Sequence, residues 1–202
     1  VPVVTERMLR RSLTGEPQPR PAEPPNGVVA RQGAVMAFLY PNGNDIVVAL
    51  TVRTAHLGSH AGQISLPGGR IDPDDATAWH AAVRETWEEI GVDLSGTEAW
   101  ATLDQIYVAA SNFFVTGFVA FQPRRPVFRL SPHEVAILLE VPVAELMCGE
   151  SFWVGERDYQ GQRVLEGYFE YQGQRIWGAT AVLLDQLLER IHTGLALVNA
   201  GR

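Results

Sequence analysis

The first third of the chain alternates apolar runs with turn-forming residues, as β-strands do. Apolar runs at residues 34–40 and 46–52 flank the turn formers Pro41-Asn42-Gly43-Asn44 and predict a hairpin. Residues 63–66 predict a short strand that ends in a Pro-Gly-Gly turn. Further strands are predicted at residues 100–108, 113–121, 137–141, 163–170 and 174–177.

Two segments have the period of an amphipathic helix. The first runs from about residue 74 to 90, after the helix-start signal Asp72-Pro73. Because successive helical residues turn by about 100°, one side of it is apolar and is predicted to face the core: Trp79, Val83, Thr86, Trp87 and Ile90. Three carboxylates fall together on the opposite side: Glu85, Glu88 and Glu89. Residues 179–192 predict a closing helix.

The N-terminal segment has a different character from the rest. Residues 1–13 predict a short helix, and residues 15–27 hold five prolines, which predict an extended linker. We therefore expect an N-terminal arm over residues 1–30 and one domain over residues 31–202. The mixed order of strands and helices predicts an α/β (α+β) fold with a mixed sheet between helices.

Composition narrows the classes of protein. The chain has 202 residues, of which 46% are hydrophobic and 19% charged, as in globular proteins. No apolar run approaches the length of a membrane span, and the charged N-terminus does not resemble a signal peptide. The single cysteine, Cys148, excludes an internal disulfide, so we expect a cytoplasmic protein without a membrane partner.

The net charge and the basic residues of the chain limit the classes of ligand that it is expected to bind. The net charge of −7 argues against nucleic-acid binding. All 16 basic residues are arginine, so any recognition of phosphate by side-chain cations depends on arginine.

The acidic side of the first helix suggests a metal site. Carboxylates that meet at about 4 Å repel one another by about 4 kcal/mol at an effective dielectric constant of about 20. A divalent cation removes that cost, and hard oxygen ligands suit Mg²⁺ or Mn²⁺. A solvated acidic helix face is the alternative interpretation.

The acidic helix and the glycines before it resemble a known motif. Gly69, with Arg84-Glu85-x-x-Glu88-Glu89-x-Gly91-Val92, resembles the Nudix box, Gly-x5-Glu-x7-Arg-Glu-U-x-Glu-Glu-x-Gly-U. The chain departs from it in three ways. Gly69 and Arg84 are separated by one residue more than in the pattern, Asp75 stands for the first Glu, and Thr86 stands for the aliphatic residue U.

A second resemblance points to one branch of that family. Residues 50–69 are similar to the signature of coenzyme A diphosphatases, and residues 171–181 to the end of such enzymes. The matching positions are Leu50, Thr51, Arg53, Leu57, His60, Gly62 and Pro67-Gly68-Gly69. Four positions hold a related residue instead: Ala49 for Leu, Thr54 for Ser, Ile64 for Val and Leu66 for Phe. Gly58 replaces an arginine of the signature. That departure leaves open a Nudix hydrolase for ADP-ribose or a dinucleotide; a non-catalytic nucleotide-binding fold is the third alternative.

The resemblance implies a Nudix-type α/β/α sandwich that hydrolyses a nucleoside-linked diphosphate. It implies metal ligands at Glu85, Glu88, Glu89 and Gly69, with Glu88, Glu89 and Arg84 in catalysis. It implies substrate contacts at Arg53, His60, Gly68 and Glu134. Mg²⁺ or Mn²⁺ is the implied cofactor and a CoA-like nucleotide the implied partner; a homodimer is a further expectation.

Four of these assignments have plainer alternatives. Arg84 would orient a carboxylate or form an ordinary surface pair. Asp75 would pair with Arg84 or begin the helix, and the second is favoured. His60 would contact substrate or be an ordinary hydrogen-bonding loop residue. Three aromatic residues would stack on adenine or pack in a core: Trp153, Tyr159 and Tyr168.

Overall fold

The computed structural model describes residues 23–55, 62–149, 151–159 and 161–200. These residues divide into two compact units, one that ends at Val141 and one that begins at Pro142. The predicted helix over residues 1–13 and most of the predicted linker over residues 15–27 lie outside the described residues. No helix in the described part of the chain is both long and apolar enough to cross a membrane.

A mixed sheet of eight strands forms the first unit. The strands are β1 (Arg31–Asn42), β2 (Asp45–Arg53), β3 (Ile64–Ser65), β4 (Gly68–Arg70), β5 (Ala101–Thr102), β6 (Ile106–Val108), β7 (Phe113–Phe121) and β8 (Val135–Pro142). The order β3-β2-β1-β7-β5 forms the main path, and β4 pairs with β1, β6 with β7 and β8 with β2. Strands β1 and β7 are parallel, whereas β1 is antiparallel to both β2 and β4.

The strand predictions for this unit are largely confirmed. The predicted hairpin is the β1–β2 pair, which turns between Asn42 and Asp45. The single strand predicted over residues 100–108 is two short strands, and both pair with β7. The glycines predicted to form a turn enter β4 instead, because residues 68–70 pair with residues 33–35 of β1.

Helix α1 (Ala78–Ile90) carries the predicted carboxylates, but it begins four residues later than predicted. Thr77 is its N-cap, with a side chain that accepts a hydrogen bond from the backbone N–H of His80. Asp75 does not cap the helix, because its carboxylate accepts bonds from the Asp72 backbone N–H and from Arg84 instead. The helix ends at Gly91, whose N–H donates to the Trp87 carbonyl.

The predicted apolar face of α1 is confirmed at Trp79, Val83, Thr86 and Ile90, which are buried or pack against the core. The prediction is wrong at Trp87, and the predicted outward position of Glu89 is also wrong. Trp87 is 54% exposed, whereas Glu89 is only 1% exposed. Small side chains, Ala81 and Ala82, pack toward the sheet together with Ile90. The carboxylates therefore run from the buried edge of α1 to its solvent side.

One apolar core joins α1 to the sheet of the first unit. Its buried members come from β1, β2, β7, α1 and the segment after α1: Ala34, Met36, Phe38, Tyr40, Val47, Ala49, Phe118, Ala120, Ala81, Ala82, Ile90, Val92 and Leu94. The ring of Trp79 meets that of Phe118 edge-on, with centroids 5.6 Å apart. This core fixes α1 against β1.

The second unit contains helix α2 (Val143–Met147), strands β9 (Phe152–Tyr159), β10 (Gln162–Tyr171) and β11 (Gln174–Ile176), and helix α3 (Gly178–Ala200). The predicted strands β10 and β11 and the predicted closing helix are confirmed, although α3 is longer than predicted. Strand β9 was not predicted, because Gly155 and three charged residues interrupt its apolar pattern. It is the antiparallel partner of β10.

Candidate metal and phosphate site

Arg84 of α1 is hydrogen-bonded to the turn that precedes the helix. Its Nε lies 3.0 Å from Oδ1 of Asp75 and its Nη2 lies 2.9 Å from Oδ2, a bidentate pair. The pair lowers the pKa of Asp75 and raises that of Arg84. Of the two roles considered for Asp75, the structure therefore has the pairing with Arg84, and the preferred role as helix start is wrong.

The same guanidinium also contacts two of the predicted metal ligands. Nη1 of Arg84 donates to Oε1 of Glu85 at 2.9 Å and to Oε2 of Glu88 at 3.1 Å. Nη2 donates to the backbone carbonyl of Arg70 at 3.0 Å. Arg84 is thus the centre of a network rather than an ordinary surface pair, and it orients both carboxylates.

Glu89 occupies a very different environment from Glu88. Its side chain is buried, and its Oε1 lies 3.7 Å from Nη1 of Arg53 at the end of β2. Within the described residues, its Oε2 is buried without a hydrogen-bond partner. Burial raises the pKa of Glu89 to about 8, although the Arg53 charge and the Gly68 backbone N–H act in the opposite direction.

Two glycines let the backbone approach these carboxylates closely. A Cβ on Gly69 would lie 2.6 Å from Oε1 of Glu85, so any larger residue would force that carboxylate to move from its place. A Cβ on Gly68 would collide with the Ala34 carbonyl, so only glycine lets β4 lie against β1 at this point. The glycines thus place backbone polar groups beside Glu85 and Glu89.

Glu134 reaches the same site from a distant part of the chain. Its charge contributes to the raised pKa values of both Glu85 and Glu89. For Glu85 the largest cause is burial, and the Arg84 charge opposes it. Strand β2 and helix α1 thus bring together Arg53, Glu85 and Glu89, and the segment before β8 adds Glu134.

The remaining predicted contacts lie outside the described residues or in the second unit. His60 lies outside the described residues. In the second unit, Tyr168 is covered by the Arg175 guanidinium, 4.4 Å from the ring centroid, and by Gly155, where a Cβ would lie 3.2 Å from the ring. Tyr168 is therefore packed against its neighbours, whereas Trp153 is half exposed. The side chain of Tyr159 lies outside the described set.

The site fits a divalent cation. Glu89 offers a buried oxygen that lacks a hydrogen-bond partner, and Gly69 leaves a space beside Glu85 that any Cβ would fill. In the described residues no three acidic, histidine or cysteine side chains already converge as metal ligands, because Arg84 pairs with Glu85 and Glu88.

Sequence reasoning missed one polar residue beside this site. Thr54 is buried, and it donates hydrogen bonds to the segment that carries Glu134. A threonine at the hydroxyl position of the residue 50–69 signature was the only signal for it.

Comparison with known proteins gives a consistent result. Residues 30–153 match the model of the NUDIX domain. The chain is 34% identical over 145 residues to a protein of Yersinia enterocolitica named as an uncharacterized Nudix hydrolase, NudL; the match covers 71% of this chain and 73% of that protein. It is 30% identical over 175 residues to Nudix hydrolase 3 of Caenorhabditis elegans, covering 77% and 72%.

Solved structures agree at the level of the fold. A MutT NUDIX hydrolase from Burkholderia pseudomallei matches with a TM-score of 0.50 and 19% identity, over 78% of this chain and 97% of that one. A MutT/nudix family protein from Enterococcus faecalis matches with a TM-score of 0.51 and 18% identity, over 88% and 65%. The predicted fold class, with a mixed sheet and helices, is confirmed.

Proposed function

Because the chain belongs to the Nudix hydrolase family, whose members act on nucleoside diphosphate derivatives, we propose that its substrate is coenzyme A or an acyl-coenzyme A. Hydrolysis of the diphosphate then yields 3′,5′-ADP and (acyl-)4′-phosphopantetheine. Divalent metal ions are general in the family; we propose Mg²⁺ or Mn²⁺ here, and a cytoplasmic location.

The contact between Arg53 and Glu89 carries the proposal. Arg53 belongs to the segment that resembles the coenzyme A signature, and Glu89 belongs to the Nudix-box helix. Their side chains lie 3.7 Å apart. A residue of the substrate signature thus lies directly beside the acidic site, where a diphosphate between the two would meet both cation and guanidinium.

Four groups of this chain would hold the cations. Glu85, Glu88 and Glu89 supply carboxylate oxygens, and Gly69 supplies its backbone carbonyl. When bound, the cations neutralise charge on the diphosphate and lower the pKa of a water molecule that attacks phosphorus. Arg84 keeps Glu85 and Glu88 oriented through the contacts at 2.9 and 3.1 Å.

The remaining steps fall to side chains around that centre. Arg53 turns from Glu89 to a phosphate oxygen, and the Gly68 backbone lines the same place. Glu88, Glu89 and Glu134 are the carboxylates that can accept the proton of the attacking water. Glu134 is the strongest of the three candidates, because Glu88 and Glu89 are proposed metal ligands, whereas Glu134 is not and its charge acts on both Glu85 and Glu89. His60 is proposed as a further substrate contact.

One observation favours a second candidate. The coenzyme A signature has an arginine where this chain has Gly58. Without that cation, the site would hold one phosphate contact fewer, which suits a smaller nucleoside diphosphate derivative such as ADP-ribose, or a dinucleotide. Indifference of the enzyme to the 3′-phosphate of coenzyme A would support this candidate.

Product analysis separates the possibilities. The purified chain is incubated with coenzyme A and with dephospho-coenzyme A, each with Mg²⁺, with Mn²⁺ or with a chelator, and products are identified by mass spectrometry. We expect 4′-phosphopantetheine in the presence of metal and faster release from the substrate that keeps its 3′-phosphate. Intact coenzyme A under all metal conditions would contradict the proposal.

A further inference from the structure

Thr54 joins the end of β2 to the segment that carries Glu134. Its side chain is only 7% exposed. Its hydroxyl donates to the His133 carbonyl at 2.8 Å, and its backbone N–H donates to the Glu134 carbonyl at 2.9 Å. Both polar hydrogens of one buried residue thus bond to the carbonyls of two consecutive residues, His133 and Glu134, which lie 79 and 80 positions away in the chain.

The same segment is tied to α1 at its other end. The backbone N–H of Ser131 donates to the Glu89 carbonyl and that of Arg129 to the Ile90 carbonyl, both at 2.9 Å. The turn between the two ties is closed by the Glu134 N–H, which donates to the Ser131 carbonyl at 3.1 Å. Residues 129–134 therefore form a bridge from the last turn of α1 to the end of β2.

The bridge holds Glu134 in place against repulsion from the Glu89 carboxylate. Glu134 and Glu89 are both acidic, and the bridge runs from the Glu89 carbonyl to Thr54, which follows Arg53, the counterion of Glu89. Repulsion between the two carboxylates therefore pushes that of Glu134 away from the site. The bond from the Thr54 hydroxyl lies in a buried setting, where leaving the His133 carbonyl unpaired is costly. The Thr54 end of the bridge therefore restrains the residue that repulsion would displace.

We propose that Thr54 is a positioning residue: its hydroxyl holds residues 133–134 so that Glu134 stays beside the Glu85 and Glu89 carboxylates. The proposal rests on the hydrolase function proposed above. Thr54 itself touches neither substrate nor metal and acts only through Glu134. In this proposal the methyl group of Thr54 contributes only to packing, whereas its hydroxyl fixes the position of residues 133–134.

Three variants separate the hydroxyl from the packing. Thr54→Val keeps the shape and removes the hydroxyl, and Thr54→Ser keeps the hydroxyl. Thr51→Val is the matched control, because Thr51 is a fully buried threonine of β2, three residues before Thr54, whose hydroxyl bonds to Ser65 rather than to the bridge. All three are measured for Mn²⁺ affinity by electron paramagnetic resonance, for kcat and KM, and for thermal stability.

For Thr54→Val we expect kcat to fall by roughly 10-fold to 100-fold, as for other displaced catalytic groups, with KM nearly unchanged. We also expect a weaker Mn²⁺ affinity, because the displaced Glu134 no longer adds its negative charge beside the metal ligands. Thr54→Ser and Thr51→Val should retain the kcat and the Mn²⁺ affinity of the unmodified chain. The double variant Thr54→Val/Glu134→Gln should have a kcat only slightly below that of Glu134→Gln alone, because Thr54 acts through Glu134.

Three results would overturn the proposal: full kcat and Mn²⁺ affinity in Thr54→Val, equal losses in Thr54→Ser and Thr54→Val, or additive losses in the double variant. The Mn²⁺ measurement does not depend on the substrate. If the unmodified chain cleaves no diphosphate, the proposed function fails, whereas the effect of Thr54 on the metal site is still decided by that measurement.

Discussion

Nη1 of Arg53 lies 3.7 Å from Oε1 of Glu89, a carboxylate with 2% of its side chain exposed. Burial raises the pKa of Glu89 to about 8, and the positive charge of Arg53 acts against that rise. The contact joins the end of β2 to the last turn of α1. Arg53 therefore has two roles available, as the counterion of Glu89 and as a cation for the substrate.

Replacing Arg53 with glutamine should change both binding and pH dependence. Without the guanidinium, the pKa of Glu89 rises further, because the Arg53 charge favours the ionised form. The acid limb of the kcat/KM profile should shift to higher pH, and KM should rise by roughly 10-fold from a lost charged contact. Arg53→Lys keeps the charge, so the acid limb of its profile should lie where it does in the unmodified chain. An unshifted acid limb in Arg53→Gln would contradict the role of Arg53 as the counterion of Glu89.

Replacing Glu89 with glutamine tests the metal site. The change removes one ligand charge and keeps the shape, so kcat should fall by roughly two orders of magnitude or more with KM little changed. Steady-state kinetics at saturating Mg²⁺ measures both values. The control is Glu98→Gln, the same change at an exposed position after α1, and near-normal turnover in Glu89→Gln contradicts the assignment.

The stability of the metal-free protein should depend on pH through Glu89. Its pKa is raised from 4.5 to about 8 on folding, so between these values the folded chain binds more protons than the unfolded chain. The free energy of unfolding therefore falls as pH rises through this window, by at most about 1.4 kcal/mol per pH unit, and is then level above pH 8. Urea unfolding in a chelator at several pH values measures it.

Glu89→Gln supplies the control for that pH series, because glutamine does not titrate. Its free energy of unfolding should fall less between pH 4.5 and pH 8, the window set by the Glu89 shift. Equal slopes for the variant and the unmodified chain would show that another group titrates in this window.

Gly69→Ala should damage the site without a general loss of folding. The new Cβ would lie 2.6 Å from the Glu85 carboxylate, so the side chain must move away from the cation. We expect weaker Mn²⁺ binding and a kcat reduced by roughly 10-fold or more. Gly96→Ala is the matched control, since nothing lies within 4 Å of its added Cβ; equal behaviour of the two variants contradicts this account of Gly69.

The sequence predicts local elements well where one pattern decides them. The β1–β2 hairpin follows from two apolar runs around Asn42 and Gly43, and the acidic helix follows from its motif. The start of α1 was misplaced because Asp72-Pro73 looks like a helix start, whereas Arg84 takes the Asp75 carboxylate and leaves the cap to Thr77.

The site is less predictable because it reverses the usual rule of burial. Hydropathy alone places Trp87 inside and Glu89 outside, whereas the protein buries Glu89 and exposes Trp87. The family motif identifies the carboxylates but says nothing about which one is buried. The bonds of Thr54 to residues 133–134 join parts of the chain that are far apart, and no local pattern encodes them.

The central claim is that this chain hydrolyses the diphosphate of coenzyme A at the Glu85–Glu89 site. The most direct test measures kcat/KM for coenzyme A and for ADP-ribose in parallel, with Mg²⁺ or Mn²⁺ and with Glu89→Gln as the blank. We predict release of 4′-phosphopantetheine with the higher kcat/KM, and none in the blank. Cleavage of ADP-ribose beside intact coenzyme A would contradict the claim and assign the second substrate class.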